Sequence, residues 1–176
     1  MNTFIQKFEN HFREGFNHDI QKVLETLQNE TVYACAFGTD SDFTTLFLAV
    51  NTEESLSRHI DNMKDMGLHH GEQDDIYYRW GCSEYQYGDG GHFNHLYKLL
   101  NSTENVIQYR NEIVKTIAKV VNEANNELFS QFGQSKEKIT FFISMTDDDG
   151  AIELENQSVV LMTNPDLANE FLERYD

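Results

Sequence analysis

Residues 32–50, VYACAFGTDSDFTTLFLAV, set the expectation for the fold. The first part, 32–37, is short and apolar on both faces, which is typical of a strand at the centre of a sheet. The last part, 43–50, is a second apolar run, and the residues between them, Gly-Thr-Asp-Ser-Asp, are typical of a turn. The stretch therefore predicts an antiparallel β-hairpin.

Helical patterns flank this hairpin. The apolar residues spaced four apart before it are Phe4, Phe8, Phe12, Phe16, Ile20 and Leu24. Their spacing predicts an amphipathic helix of about 25 residues, which ends at Asn29-Glu30 and bends or splits at Gly15. After the hairpin, Thr52 is suited to cap a second helix with two acids in its first turn, and Gly67 is expected to end it.

The middle of the chain carries mixed signals. Residues 68–75 are polar and are expected to form a loop. Residues 76–80, Ile-Tyr-Tyr-Arg-Trp, are aromatic and predict a strand. Residues 81–91 are rich in glycine and tyrosine and are expected to be irregular, and 92–100 predicts a short helix.

The last part of the chain returns to clear periodic patterns. A helix start at 101–104 leads into apolar residues that predict a long amphipathic helix over 106–128. Residues 138–145 alternate as a strand does, and 147–150 is expected to be a turn. Asn164-Pro165 places a capping residue directly before a proline, which predicts the start of a last helix.

These elements indicate an α+β fold with a small, mainly antiparallel sheet and helices packed on it. We expect a single domain over residues 1–176, since no linker or repeat divides the chain. Cys35 and Cys82 are expected to be reduced thiols, as in a cytoplasmic protein. The sequence predicts neither a signal peptide nor a membrane-spanning segment.

The charge of the chain limits the partners that it can have. There are 30 acidic and 13 basic residues, which gives a formal net charge of −17. Such a surface repels nucleic-acid phosphates and anionic lipid, so binding to a nucleic acid or a membrane is not expected. It attracts a basic protein or a divalent cation, although acidity also serves solubility alone.

Two groups of residues have the donor atoms of metal ligands. Residues 147–149 are three aspartates, followed by Glu153 and Glu155, but their spacing does not match a calcium loop, and an exposed acidic turn explains them as well. His92 and His95 lie three apart on one face of the predicted short helix, without an identifiable third ligand. We therefore assign no metal, no cofactor and no catalytic residue.

The segment 77–87 is the most unusual part of the sequence. It holds four tyrosines, the only tryptophan and an arginine, which are the residue types that dominate protein interfaces. Glu84 lies within it and Asp89 follows it. The segment is expected to be either a recognition surface for a basic or polar partner, or part of the core through Trp80 and alternate tyrosines.

Three features together resemble a bacterial domain-of-unknown-function family, number 4303. They are Tyr-Arg-Trp-x-x-x-Glu-Tyr at 78–85, the hairpin followed by Asn-Thr-Glu-Glu-x-Leu at 51–56, and a late strand with Ser-x-Thr-Asp at 144–147 before Ser158 and Asn164-Pro165. The resemblance covers nearly the whole chain. It implies no activity, but small acidic families of this kind occur among immunity proteins that neutralise bacterial toxins.

We therefore predict a non-enzymatic protein-binding module for a basic partner, with a toxin-neutralising immunity protein as its finer form. The predicted partner-binding residues are Trp80, Glu84, Tyr85, Asp89, Asp147, Asp148 and Asp149. Two alternatives stay open: a metal-dependent hydrolase that uses acidic residues with His92 or His95, and a structural subunit of a larger assembly. The sequence predicts no oligomeric state.

Overall fold

The computed structural model describes residues 3–27, 29–88, 91–146 and 150–175, and these residues form a four-stranded sheet with helices on both faces. The strands are β1 (Val32–Thr39), β2 (Phe47–Thr52), β3 (Tyr87–Gly88) and β4 (Thr140–Met145), and their order is β3-β2-β1-β4. β2 pairs antiparallel with both β1 and β3, whereas β4 pairs parallel with β1. The predicted hairpin and the mainly antiparallel α+β fold are thus confirmed.

The described helices range in length from four residues in α6 to 24 residues in α1. They are α1 (Thr3–Thr26), α2 (Glu53–Asp65), α3 (Glu72–Trp80), α4 (Asn94–Asn101), α5 (Arg110–Glu123), α6 (Glu127–Ser130), α7 (Ala151–Met162) and α8 (Pro165–Leu172). Short 3₁₀ turns lie at Cys82–Glu84, Val106–Tyr109 and Lys136–Lys138. Among the helices that the structure describes, none is long and apolar enough to cross a membrane.

The sheet separates two hydrophobic clusters. Every residue of β1 is buried, and its side chains alternate between the two faces. Cys35 and Phe37 join the cluster formed with α1, α4 and α5, while Ala34 and Ala36 join the one formed with α2, α3 and α8. This explains why the strand is apolar on both faces.

The phenylalanine stripe of α1 lies in the larger cluster, as its spacing predicts. Phe8, Phe12 and Phe16 are fully buried, which contributes about 1.5–3 kcal/mol for each side chain. The helix continues through Gly15, so it is not split there. A Cβ at this position would lie 3.4 Å from the carbonyl oxygen of His92, which is an ordinary contact distance to the loop before α4.

Helix caps read from the sequence are also confirmed. The side chain of Thr52 accepts a hydrogen bond from the backbone N–H of Ser55 at 3.0 Å, at the start of α2. Asn164 accepts one from the N–H of Asp166 at 3.0 Å, and Pro165 is the first residue of α8. Each cap satisfies a donor that the helix itself leaves unpaired, which stabilises the helix by about 1 kcal/mol.

The strand predicted at 76–80 is wrong, because these residues form the second half of α3. Their β-propensity is outweighed by the acidic first turn of the helix, which interacts favourably with the helix dipole. In a helix, Ile76 and Trp80 lie on the same face, and both pack against the smaller cluster. The position beside β2 is occupied instead by the two residues of β3.

Two further predictions differ from the structure in the last part of the chain. The long helix over 106–128 is divided into a 3₁₀ turn, α5 and α6, with Asn105 in a left-handed conformation (φ 55°) before the turn. Helix α7 was not predicted from the sequence. Its apolar residues lie on both the buried and the exposed sides of the helix, since Leu154 is buried whereas Val160 is exposed. The apolar positions in the sequence therefore do not recur with the period of a helix.

Helix α7 and the residue after it protect the edge of the sheet. β4 is an outer strand, and its free N–H groups need partners. The hydroxyl of Ser158 accepts from the N–H of Ile143 at 2.8 Å, and the hydroxyl of Thr163 accepts from the N–H of Phe141 at 2.8 Å. Side chains thus take the place of a further strand.

Candidate functional site

The aromatic segment contributes mainly to the core. Trp80 is 6% exposed, and its ring packs edge-to-face on Phe171 with centroids 4.9 Å apart. Tyr85 donates its hydroxyl hydrogen to the carbonyl oxygen of Arg79 at 3.0 Å, and burial raises the pKa of this tyrosine. Of the predicted partner-binding residues, Trp80 is therefore buried and Tyr85 is half-buried, and both contribute little to the surface that a partner could contact.

Glu84 lies where α2 and α3 meet. Its Oε1 accepts a hydrogen bond from the hydroxyl of Tyr77 at 3.2 Å, and its Oε2 lies 3.5 Å from Nε2 of His59. The side chain is 26% exposed. Its one side-chain hydrogen bond among the described residues is with Tyr77 of α3, and the carboxylate remains accessible to a partner.

Residues 53–84, which we name the acidic hairpin, form a peripheral layer around Glu84. They include eight acidic residues, Glu53, Glu54, Asp61, Asp65, Glu72, Asp74, Asp75 and Glu84, against the three basic residues Arg58, Lys64 and Arg79. Three large apolar side chains are exposed on it: Met66 (59%), Leu68 (53%) and Tyr77 (49%). These side chains offer apolar contacts on a segment that is otherwise mostly acidic.

Four of the predicted partner-binding residues have no described position. Asp89 and the aspartates at 147–149 lie outside the residues that the structure describes. Glu155, which follows them in the sequence, is buried and is not part of an exposed acidic turn. It accepts hydrogen bonds from the hydroxyl of Ser144 at 2.6 Å and from Nη2 of Arg174 at 2.8 Å, so it is committed to the core.

The structure places His92 and His95 in two different pairs. Nδ1 of His92 lies 2.7 Å from Oδ1 of Asp19, and the ring of His92 stacks on that of His18 with centroids 3.3 Å apart. His95 stacks on His11 instead, with centroids 6.0 Å apart. The two pairs run side by side because His11 and His18 lie seven residues apart on α1, which is close to two helical turns.

Asp19 is the residue in this region that sequence reasoning missed. It is fully buried in α1, and its Oδ1 lies 3.6 Å from Nδ1 of His18 as well as close to His92. The ligand atoms of these three residues lie within 4.8 Å of one another. The sequence does show a carboxylate directly before Ile20, within the apolar stripe of α1. It does not show that this carboxylate contacts His92, which lies 73 residues later in the chain.

The two cysteines have no features of nucleophiles. Cys35 and Cys82 are free and buried, and burial raises the pKa of both thiols. A nucleophilic cysteine needs a lowered pKa and access to the substrate, because the thiolate is the reactive form.

The fold and these sites define an acidic α+β protein with a mixed four-stranded sheet, a peripheral acidic hairpin and a histidine–aspartate cluster. The family model described as "Domain of unknown function (DUF4303)" matches residues 13–161, so the chain belongs to this family. No curated protein matches the chain, and no solved structure matches it either.

Proposed function

We propose that the protein is a non-enzymatic binding module that recognises a basic protein in the cytoplasm through the acidic hairpin. The observation that carries this proposal is the combination of eight acidic residues with three exposed apolar side chains on one peripheral element. Apolar anchors contribute the affinity, while the charges attract and orient the partner. The partner contacts Glu84 and Tyr77 where the two helices of the hairpin meet.

Helix α2 of the hairpin is well suited to this role because little of it is needed for the core, whereas Tyr78, Trp80 and Cys82 hold the second half of the hairpin in the smaller cluster. Helix α2 has 13 residues, of which only Ser55 and Leu56 are buried. Most of its surface is therefore free to contact a partner. Arg79 joins α3 to the start of α2, because both terminal nitrogens of its guanidinium pair with the carboxylate of Glu53 at 2.8 and 2.9 Å. A surface that is fixed before binding loses less entropy on association.

The finer proposal is a bacterial immunity protein that neutralises a toxin. A nuclease binds phosphates with a basic active site, and a carboxylate-rich surface imitates those phosphates. The formal charge of −17 would speed the encounter with such a partner at low salt.

The test compares two variants of equal charge. Asp61→Lys/Asp65→Lys changes exposed residues of the hairpin, and Glu104→Lys/Glu137→Lys changes exposed residues elsewhere. Untagged partners captured from lysate of the source organism by each immobilised protein are identified by mass spectrometry and eluted with increasing salt. We expect the wild type and the Glu104/Glu137 variant to retain the same basic protein, and the Asp61/Asp65 variant to lose it.

Two outcomes would contradict the proposal. Equal loss in both variants would mean that total charge and not the hairpin attracts the partner. Capture of no basic protein at any salt concentration would leave the hairpin without a partner of the proposed kind. The melting temperature of each variant serves as the control for folding.

A further inference from the structure

We propose that His18, Asp19 and His92 bind one divalent transition-metal ion, with Zn²⁺ as the expected ion. Two imidazole nitrogens and one carboxylate oxygen are ligands that zinc accepts, and a water molecule would complete a four-coordinate site. Imidazole is a poor ligand for Ca²⁺ and Mg²⁺, which prefer oxygen, so these ions are not expected to compete. The proposal concerns metal binding and is independent of the acidic hairpin.

The buried aspartate is the first argument. Asp19 is 0% exposed, and no described residue forms a hydrogen bond with its Oδ2. A buried carboxylate with an unpaired oxygen is costly unless a cation or further donors compensate it. A metal ion held by this carboxylate would supply that compensation.

The distances between the ligand atoms are the second argument. In a tetrahedral zinc site with bonds of about 2.0–2.1 Å, neighbouring ligand atoms lie about 3.3 Å apart. The Oδ1 atom of Asp19 lies 2.7 Å from Nδ1 of His92 and 3.6 Å from Nδ1 of His18, which brackets this value. Because the lone pair of an imidazole nitrogen lies in the ring plane, binding of one ion requires the two rings to rotate out of their 22° stack.

Access to the cluster is the third argument. The side chains of His18 and His92 are 51% and 40% exposed, so an ion can enter from solvent and the rings can rotate. Asp19 also lines a cleft of about 280 Å³ between α1 and β3, with Lys22 and Tyr87 among the other lining residues. The cleft therefore brings solvent close to the carboxylate of Asp19, while the two histidines are reached from the surface.

The neighbouring histidine pair provides a comparison within the same molecule. His11 and His95 come from the same two parts of the fold and are also stacked, but at 6.0 Å. Among the described residues, neither of them lies within ion-pair distance of a carboxylate, in contrast to His18 and His92. A site that depends on Asp19 should therefore distinguish the two pairs.

The experiment measures metal binding by the full chain without an affinity tag. The protein is treated with a chelator, dialysed against Zn²⁺ and analysed for bound metal, and Co²⁺ is added separately to record the absorption spectrum of the coordinated ion. We expect one ion for each chain. His18→Ala and His92→Ala should each weaken Zn²⁺ binding by at least about tenfold and abolish the Co²⁺ spectrum, since loss of even an outer partner of a ligand weakens binding about 10–100-fold.

The matched controls are His11→Ala and His95→Ala, which should bind Zn²⁺ as the wild type does. Because His18 is half exposed, its substitution does not threaten the fold, and circular dichroism verifies this for each variant. The proposal is overturned if the wild type binds no stoichiometric Zn²⁺ or if binding survives both His18→Ala and His92→Ala. It is also overturned if the control variants lose as much affinity, since the ion would then bind a histidine-rich surface without a defined site.

Discussion

Glu155→Gln is expected to destabilise the protein more than any other single neutral substitution of its acidic residues. Glu155 lies on α7 and Arg174 lies after α8, and the two side chains are only 11% and 1% exposed. Arg174 also donates to Oδ1 of Asn156 and to the carbonyl oxygen of Phe171, each at 2.7 Å. The pair thus joins the end of the chain to α7 and, through Ser144, to β4.

The expected loss in the free energy of unfolding depends on the interactions that remain after Glu155 is replaced. Glutamine keeps the shape of Glu155 and can still accept from Ser144, but the guanidinium of Arg174 loses its counter-charge in a buried position. Breaking a buried pair from one side costs about 3–5 kcal/mol. Since the two other acceptors of Arg174 remain, we expect the lower end, about 3 kcal/mol.

The assay is equilibrium unfolding in urea, followed by the fluorescence of Trp80. This residue is the only tryptophan and packs on Phe171, next to the pair, so its emission reports on the affected region. The difference in the free energy of unfolding is obtained for Glu155→Gln, for Arg174→Met and for Glu155→Gln/Arg174→Met. The double variant buries no charge at the pair, so it should recover most of the loss.

Glu153→Gln is the matched control, because Glu153 is exposed on the same helix. It should change the free energy of unfolding by less than about 0.5 kcal/mol. A loss for Glu155→Gln no larger than for Glu153→Gln would refute the reasoning. A double variant as unstable as the sum of the two single variants would also refute it, since the residues would then be uncoupled.

Three other predictions follow from single residues. Burial alone would raise the pKa of Asp40, but hydrogen bonds, chiefly from Thr44, lower it overall. The wild type should therefore be about 1 kcal/mol more stable than Asp40→Asn at pH 7. This difference in the free energy of unfolding should shrink below about pH 4, as measured by urea titrations at several pH values. Gly15→Ala should raise the free energy of unfolding by about 0.5–1 kcal/mol, because the new Cβ meets His92 at an ordinary contact distance, and a decrease would contradict this. Burial raises the pKa of Cys35, so a thiol reagent should modify it only at the rate of unfolding, and fast labelling of the native protein would contradict its burial.

Part of the candidate sites could be read from the sequence. The acidity of residues 53–84 and the unusual composition of 77–87 are both visible in the sequence, and Glu84 lies where the two ranges overlap. Which aromatic residues are buried and which are exposed was not predictable, because Tyr77 and Trp80 differ only in the side of α3 on which they lie. That side is chosen by the sheet against which the helix packs.

The histidines show the same limit more sharply. The interval between His92 and His95 favours one shared helix face, but His92 precedes α4 and lies against α1. The interval between His11 and His18 is visible in the sequence as well. What joins them into pairs is the packing of α4 on α1, which local spacing does not contain.

By itself, the sequence determined the elements whose signals are local: the stripe of α1, the hairpin of β1 and β2, and the caps of α2 and α8. These elements depend on the spacing of side chains and on backbone donors within a few residues of one another, and both can be read directly from the sequence. The tertiary structure alone decided that 76–80 is helical, that α7 covers the edge of β4 and that Asp19 meets His92. Each of these outcomes depends on which surfaces the sheet leaves to be covered, and distant segments compete for those surfaces only in the folded chain.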